Sequence, residues 1–237
     1  EKPTDADHRR TDQRFLQISF LRKIDIQKYK IFLKNQYLIP SRRILHENID
    51  DNFEIFERCG LKNLSDLKQA ILTKTKIDKL SKETKISPEY LNILRRELGI
   101  FNRKGILFKD FPIIDNNTIS ALDKKGIKNT KNFYEYYTSE NNEKMISDEL
   151  NISVEMIKCL FSLSCLVRIN GIGSLAAVTF YEAGYKNLDD IISSTKEEML
   201  EKVNKINDEK KYYKSKLGLK DMQFVIDYAN LMTHFKN

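Results

Sequence analysis

Side chains that could perform acid–base, nucleophilic or metal chemistry are spread thinly through the 237-residue sequence. His8, His46 and His234 lie far apart, and none has a Cys or acidic neighbour at the spacing of a metal site. Acid pairs such as Asp189-Asp190 stand where helices are expected to begin, and negative charge there favours the helix dipole. The sequence contains no Gly-Lys-Ser/Thr phosphate loop and no Gly-x-Ser-x-Gly motif. We therefore predict no catalytic residues, no metal and no cofactor.

A short glycine-containing segment offers a different chemistry, the binding of an anion by backbone groups. Gly171 and Gly173 flank one apolar residue, and glycine adopts positive φ without steric cost, so the chain can turn sharply here. The residues from Ser174 onward are typical of a helix, whose first N–H groups are free to hold a phosphate oxygen. Packing between helices is the alternative role of this turn. The candidate anion-binding residues are Arg168, Gly171, Ile172, Gly173 and Ser174.

The composition indicates that helices position this turn. Glycine and proline number only eight and four, while Leu, Ile, Lys, Glu and Asn are abundant. No apolar run approaches the roughly 20 residues that cross a bilayer, so we expect no membrane contact. Three dispersed cysteines, Cys59, Cys159 and Cys165, argue against a disulfide framework and predict a reducing, cytoplasmic location. We expect all three to be small buried side chains.

One short pattern, glycine followed by an apolar residue, Lys and Asn, occurs three times. The copies begin at Gly60, Gly126 and Gly184, at spacings of 66 and 58 residues that are typical of a repeat architecture. An amphipathic helix precedes each glycine, which we expect to cap it in the left-handed conformation. The asparagine is expected to begin the next helix. Ser87 and Ser153 are expected to cap a further helix after the first and second copies.

Positive charge is concentrated near the N-terminus. Residues 1–46 contain 11 Lys and Arg against 5 Asp and Glu, whereas the remainder contains 30 against 29. Apolar spacing predicts a helix over 12–24 and a second over 26–38, capped by Asp25 and ended by Pro40. The basic residues form either a solvated helical face or a surface for phosphates or an acidic partner. The candidate contacts are Arg22, Lys23, Lys30, Arg42 and Arg43.

The third copy resembles the tandem helix-hairpin-helix domains at the N-termini of archaeal recombinases, and a domain-of-unknown-function family built from similar units. The resemblance covers about residues 166–232 and rests on Ile169, Gly171-Ile172-Gly173, Ala177, Ala183-Gly184, the helix start at 188–191 and the helix after Leu217-Gly218-Leu219. It implies an all-helical fold and, in many relatives, contact of the glycine turn with the DNA backbone. The sequence departs from the DNA-binding version because Ser174 and Leu175 stand where such hairpins often carry Lys or Arg.

We therefore predict an all-α protein with a basic N-terminal arm and helical pair at 1–44, followed by three helix-hairpin-helix-type units at 45–105, 106–165 and 166–237. The first two units are degenerate because neither has the glycine pair. The predicted function is weak binding of the nucleic-acid (DNA) backbone without sequence specificity and without catalysis. The alternative is a scaffold for another protein, in which the units stack into an extended surface. The oligomeric state stays open.

Overall fold

Helices form every regular element that the structure describes. The computed structural model describes residues 21–22, 24–38, 40–101, 104–140 and 142–233. Within these ranges extended backbone pairs only as two isolated bridges, Asp25 with Asn63 and Leu107 with Asn129. The predicted all-α class is therefore confirmed. None of the described helices is both long enough and apolar enough to span a bilayer.

The described chain divides into two compact units, one up to residue 101 and one from 104 to 233. The first unit contains the helices α1 (Ile26–Asn35), α2 (Ile49–Arg58), α3 (Leu64–Ala70), α4 (Lys74–Thr84) and α5 (Pro88–Leu98), with 3-10 helices at Pro40–His46 and Gly99–Phe101. The second unit contains a 3-10 helix at Phe108–Asp110 and the helices α6 (Asn116–Lys124), α7 (Thr130–Glu140), α8 (Glu143–Leu150), α9 (Val154–Leu166), α10 (Ser174–Glu182), α11 (Leu188–Ile192), α12 (Lys196–Lys210) and α13 (Leu219–Thr233).

The three glycines of the recurring pattern end α2, α6 and α10 in the same way. Gly60, Gly126 and Gly184 have φ of +79°, +76° and +101°, so the predicted left-handed caps are confirmed. Each glycine N–H donates to the carbonyl three residues back, and the next N–H donates to the carbonyl five residues back, at 2.8–3.1 Å. These bonds satisfy carbonyl groups that the end of a helix otherwise leaves without partners.

An asparagine begins the helix after each of these glycines, as predicted. The side-chain oxygens of Asn63, Asn129 and Asn187 accept hydrogen bonds from N–H groups in the first turns of α3, α7 and α11, at 2.8–3.0 Å. Asn187 and Asp190 form a full capping box, because the Asp190 carboxylate in turn accepts a hydrogen bond from the Asn187 N–H at 3.1 Å. One glycine and one asparagine therefore fix the direction of the chain at each corner.

A second kind of junction also recurs three times. The helices α4, α8 and α12 end at Lys85, Asn151 and Lys211, whose φ values of 64°, 51° and 55° are left-handed. Ser87 and Ser153 then cap α5 and α9, each accepting from the N–H three residues on at 3.1 and 3.2 Å, as predicted. The same order of elements occurs once in the first unit and twice in the second. A helix ends at a left-handed glycine, which we call a glycine corner, and two further helices follow. The second of these ends at a left-handed residue, and a closing helix completes the order.

Aromatic and aliphatic side chains fill the interior of each unit. In the first unit, Tyr29, Phe53 and Phe56 are fully buried, with ring centroids 6.2 Å apart for Tyr29 and Phe53 and 5.5 Å apart for Phe53 and Phe56. In the second unit, α9 is buried along most of its length and packs against α7, α8 and α10. The mostly apolar sequence from Cys159 to Leu166 is therefore the buried part of a core helix.

Two local predictions need correction. Helix α1 ends at Asn35 and not at Leu38, because Gln36 turns to an extended backbone (ψ 138°) and is buried there. Pro40 begins a 3-10 helix instead of ending α1. Cys59 is exposed at the end of α2, whereas the other two cysteines are buried as expected, and none of the three forms a disulfide. The predicted helix over 12–24 lies mostly outside the described residues.

Candidate functional site

The turn before α10 is anchored by two buried isoleucines. Ile169 and Ile172 are 0% and 2% exposed, and the Ile172 N–H donates to the Ile169 carbonyl at 3.2 Å. Between them Gly171 is exposed and has a φ of +91°, a conformation that a side chain would strain. A Cβ added to Gly171 would lie 4.0 Å from Cε1 of Phe224, an ordinary contact, so conformation and not lack of space requires glycine here.

Helix α10 begins without a side-chain cap. Gly173 is its N-cap residue, no side chain accepts a hydrogen bond from its first N–H groups, and its first turn contains no acid. A Cβ built on Gly173 would meet no atom within 4 Å, so the space beside this residue is open. Ser174 is half-buried, and Leu175 is 38% exposed. The N-terminus of α10 therefore presents backbone N–H groups and the positive end of the helix dipole.

The corresponding helices α6 and α2 begin differently. At α6 the Asp115 carboxylate accepts hydrogen bonds from the N–H groups of Asn117 and Thr118, both at 2.9 Å, and from Thr118 Oγ1 at 2.7 Å. These hydrogen bonds, led by the Thr118 hydroxyl, lower the pKa of Asp115 and keep it charged. At α2 no side chain caps the helix, but Asp50 and Asp51 lie in its first turn. Only α10 of these three helices begins with neither a cap nor an acid.

Arg168 is held against an aromatic stack beside this turn. Its guanidinium carbon lies 4.1 Å from the centroid of the Tyr134 ring, and this ring stacks on Phe161 at 5.7 Å with 13° between their planes. Tyr137 stacks on the same Phe161 ring at 3.8 Å. The cation–π contact orients Arg168 without using its N–H donors. Among the described residues its guanidinium forms no hydrogen bond or ion pair.

The second predicted group of residues lies in the first unit, where neighbouring carboxylates already hold two of its members. Lys30 pairs with Asp50 at 3.4 Å, and Lys34 pairs with the same carboxylate at 2.8 Å. The hydrogen bond from Lys34 is the main cause that lowers the pKa of Asp50. Arg42 pairs with the buried carboxylate of Glu97.

The remaining members of this group have different positions. Arg22 and Arg43 are exposed, and Lys23 lies outside the described residues. The structure therefore brings Arg168, Gly171, Ile172, Gly173 and Ser174 together in one turn of the second unit, whereas Arg22, Lys30, Arg42 and Arg43 belong to the first unit.

Sequence reasoning missed the residues that support the turn from other parts of the chain. Tyr134 and Phe161 precede Arg168 by 34 and 7 residues, and Phe224 follows Gly171 by 53. Helical spacing marks such aromatic residues as core candidates, but no local signal shows which side chain they contact. In the described part of the chain, no three His, Cys, Asp or Glu side chains are grouped closely enough to bind a metal ion.

Comparison with known proteins identifies one family. Residues 112–231, about half of the chain, match the model of a family described as "Domain of unknown function (DUF4332)". The match covers most of the second unit, including the helices α6 to α12 and the turn before α10. No curated protein and no solved structure matches the chain significantly.

Proposed function

The chain belongs to the DUF4332 family, and we propose that it is a non-enzymatic module that binds the phosphate backbone of nucleic acid weakly and without sequence specificity. In this proposal the end of α9, the turn at 169–173 and α10 act as a helix-hairpin-helix. The N–H groups of Ser174 and Leu175 would hold a phosphate oxygen, and Arg168 would supply the positive charge. A helix N-terminus is suited to this role because its N–H groups and dipole both favour an anion.

The observation that carries the proposal is the contrast among α2, α6 and α10. All three helices precede a glycine corner of the same geometry. The N-terminal N–H groups of α6 are satisfied by the Asp115 carboxylate. The first turn of α2 carries Asp50 and Asp51, and Asp50 is already paired with Lys30 and Lys34. The α10 terminus has neither feature. We therefore assign phosphate contact to α10 and a structural role to the other two turns.

Weak affinity follows from the charge of the second unit. Residues 103–233 contain 19 Lys and Arg and 19 Asp and Glu, so no excess of positive charge draws a polyanion to this unit. Arg168 supplies one positive charge beside the turn, and each phosphate neutralised by a cation adds only one increment of salt-dependent affinity. The stacked Tyr134 ring strengthens this single contact, because it holds the guanidinium in place before the ligand arrives.

The Ser174→Asp substitution tests the proposal by placing a carboxylate where the phosphate would bind. We expect the affinity for a short labelled duplex at low salt to fall about fivefold, since two like charges at contact distance in water repel by about 1 kcal/mol. The matched control is Asn116→Asp, which adds the same charge at the first position of α6, where Asp115 already caps the helix. Binding is measured by fluorescence anisotropy over a salt series.

The fold should survive both substitutions, because an acid in the first turn of a helix is stabilising. Thermal unfolding midpoints that stay at or above the wild-type value would show that any loss of binding is local. Equal affinities for Ser174→Asp and Asn116→Asp, or no wild-type binding at low salt, would refute phosphate contact at α10.

A protein-recognition scaffold is the second candidate, and exposed apolar side chains favour it. Leu175 in the first turn of α10 and Leu219 at the start of α13 are 38% and 44% exposed, in a unit without net charge. Such side chains suit a partner that is recognised by apolar contact and only slightly affected by salt. In that case the wild-type protein would not bind the duplex at low salt, and Ser174→Asp would have no effect to measure.

A further inference from the structure

Helix α4 of the first unit carries an unusual density of exposed lysines. It buries a narrow apolar side made of Ile77 and Leu80, which are 0% and 7% exposed. The lysines that lie on the rest of its surface or at its left-handed C-cap are Lys74, Lys76, Lys79, Lys82 and Lys85, all exposed. Five cations therefore lie within 12 consecutive residues.

Acidic groups on α4 do not neutralise these lysines. Asp78 and Glu83 are the two acids between residues 74 and 85. The contact of Lys79 with Glu83 is 3.9 Å long and exposed on both sides, so it contributes little. In the described part of the chain, the side chains of Lys74, Lys82 and Lys85 form no ion pair or hydrogen bond.

The equivalent helices in the second unit lack this charge. Helix α8 with its left-handed residue Asn151 contains one lysine against three acids, and α12 with Lys211 contains five lysines against five acids. The three helices occupy the same place in the order of elements, and each ends at a left-handed residue. The fold therefore does not require a basic surface at this place, and the excess belongs to α4 alone.

The dimensions and polarity of α4 suit a chain of phosphates. Eleven residues at 1.5 Å each give a helix about 16 Å long, and duplex DNA carries about one charge per 1.7 Å of its axis. Several phosphates can thus lie along the exposed side of α4. A lipid surface fits less well, because a helix that binds in the interface inserts its apolar residues, and those of α4 are buried in the first unit.

We propose that the exposed side of α4 is a second, sequence-independent surface for the nucleic-acid backbone. It goes beyond the function proposed above, since it requires nothing of the turn before α10. Its contacts are ammonium groups on flexible stems, which act as point charges and do not read bases. The contribution of this surface to log K is therefore electrostatic, and it decreases linearly with the logarithm of the salt concentration.

The test is the salt dependence of duplex binding by a triple variant of the full chain, Lys74→Gln, Lys82→Gln and Lys85→Asn. Asn at position 85 keeps the left-handed cap, because Asn151 occupies the equivalent place at α8. If all three lysines contact phosphates, the negative slope of log K against log salt becomes less steep, by about 2 to 3. The matched control is Lys205→Gln, Lys210→Gln and Lys211→Asn on α12, which removes the same charge from the equivalent helix and leaves the slope unchanged.

Binding of the same variants to vesicles of phosphatidylserine and phosphatidylcholine tests whether α4 contacts a membrane instead of nucleic acid. A less steep salt dependence of duplex binding in the α4 variant, but not in the α12 variant, supports the proposal. Equal slopes in the two triple variants, no binding of wild-type protein to the duplex, or vesicle binding that depends on α4 without duplex binding would each overturn it. Where the wild-type protein binds the duplex, the Ser174→Asp variant keeps the salt dependence that α4 contributes, so failure of the α10 site and failure of the α4 surface give different results.

Discussion

Arg42 and Arg43 are neighbours in the sequence, but they differ in what surrounds their guanidinium groups. Arg42 is bound to the carboxylate of Glu97, which is 55 residues away and whose side chain is 7% exposed. Arg43 is exposed. Burial raises the pKa of Glu97, and the charge and hydrogen bond of Arg42 lower it, so that the net pKa lies above the ordinary value. Arg42 is therefore needed to compensate a buried charge, whatever it does for a ligand.

The Arg42→Met substitution should destabilise the first unit, and more at pH 7 than at pH 5. Without Arg42 the pKa of Glu97 rises further, and a carboxyl whose folded pKa exceeds its unfolded pKa loses stability as the pH rises between them. We expect a loss of about 3 kcal/mol at pH 7, where Glu97 would be a buried and uncompensated charge. Urea unfolding at both pH values measures it.

Arg43→Met is the control for this substitution. It removes the same charge from an exposed position and should change the stability by no more than about 0.5 kcal/mol at either pH. If Arg42→Met costs the same at pH 5 and pH 7, or if Arg43→Met costs as much, the Glu97 pair does not stabilise the folded state as described.

At the scale of elements, the three glycine corners each have a backbone conformation that disfavours a residue with a side chain. Each combines a left-handed glycine with hydrogen bonds to two carbonyls of the preceding helix. At Gly60 a Cβ would meet no atom within 4 Å, so conformation is the sole obstacle to a side chain there. In the same unit, Gly99 has an ordinary helical conformation (φ −63°, ψ −23°) and equally open surroundings.

The Gly60→Ala substitution should cost about 1–2 kcal/mol, the penalty of a side chain in the left-handed region. Gly99→Ala should be neutral or stabilising by about 0.4–1 kcal/mol, because alanine lowers the entropy of the unfolded chain without strain. Urea unfolding of the two variants provides the comparison. A Gly60→Ala protein as stable as Gly99→Ala would show that the corner does not need its left-handed residue.

These corners could be predicted from the sequence because their physics is local. A glycine, an asparagine and the helix before them lie within a few residues, so the capping pattern alone indicates the geometry. The contacts of Arg42 with Glu97 and of Arg168 with Tyr134 join residues 55 and 34 positions apart, and no local pattern encodes them. The basic side of α4 was missed for another reason. Charge summed over all residues after 46 is near zero, which hides the excess on one helix.

At the scale of the whole molecule, the two units differ in charge and in the state of their thiols. Residues 21–102 contain 17 Lys and Arg against 11 Asp and Glu, whereas 103–233 are balanced. Cys59 is exposed in the first unit, and Cys159 and Cys165 are buried in the second, along α9. Burial also raises the pKa of Cys159, which reduces the fraction of reactive thiolate.

The native protein should therefore expose one reactive thiol per chain. A thiol reagent with a coloured leaving group should label Cys59 rapidly, and label Cys159 and Cys165 only when the second unit opens. Cys59→Ser should abolish the fast phase and leave two equivalents that react in denaturant. Rapid reaction of two or three thiols without denaturant would show that α9 is not held in a stable core.

The carboxylate of Asp115 acts as a tethered counter-ion for α6. It occupies the position that a free anion would take at α10, and it is supplied by the residue that precedes the helix. The N-terminus of α6 is therefore closed by an acid of the chain itself, whereas the N-terminus of α10, which follows Gly173, has no such acid. The residue at one position, Asp115 before α6 and Gly173 before α10, distinguishes the two helix starts.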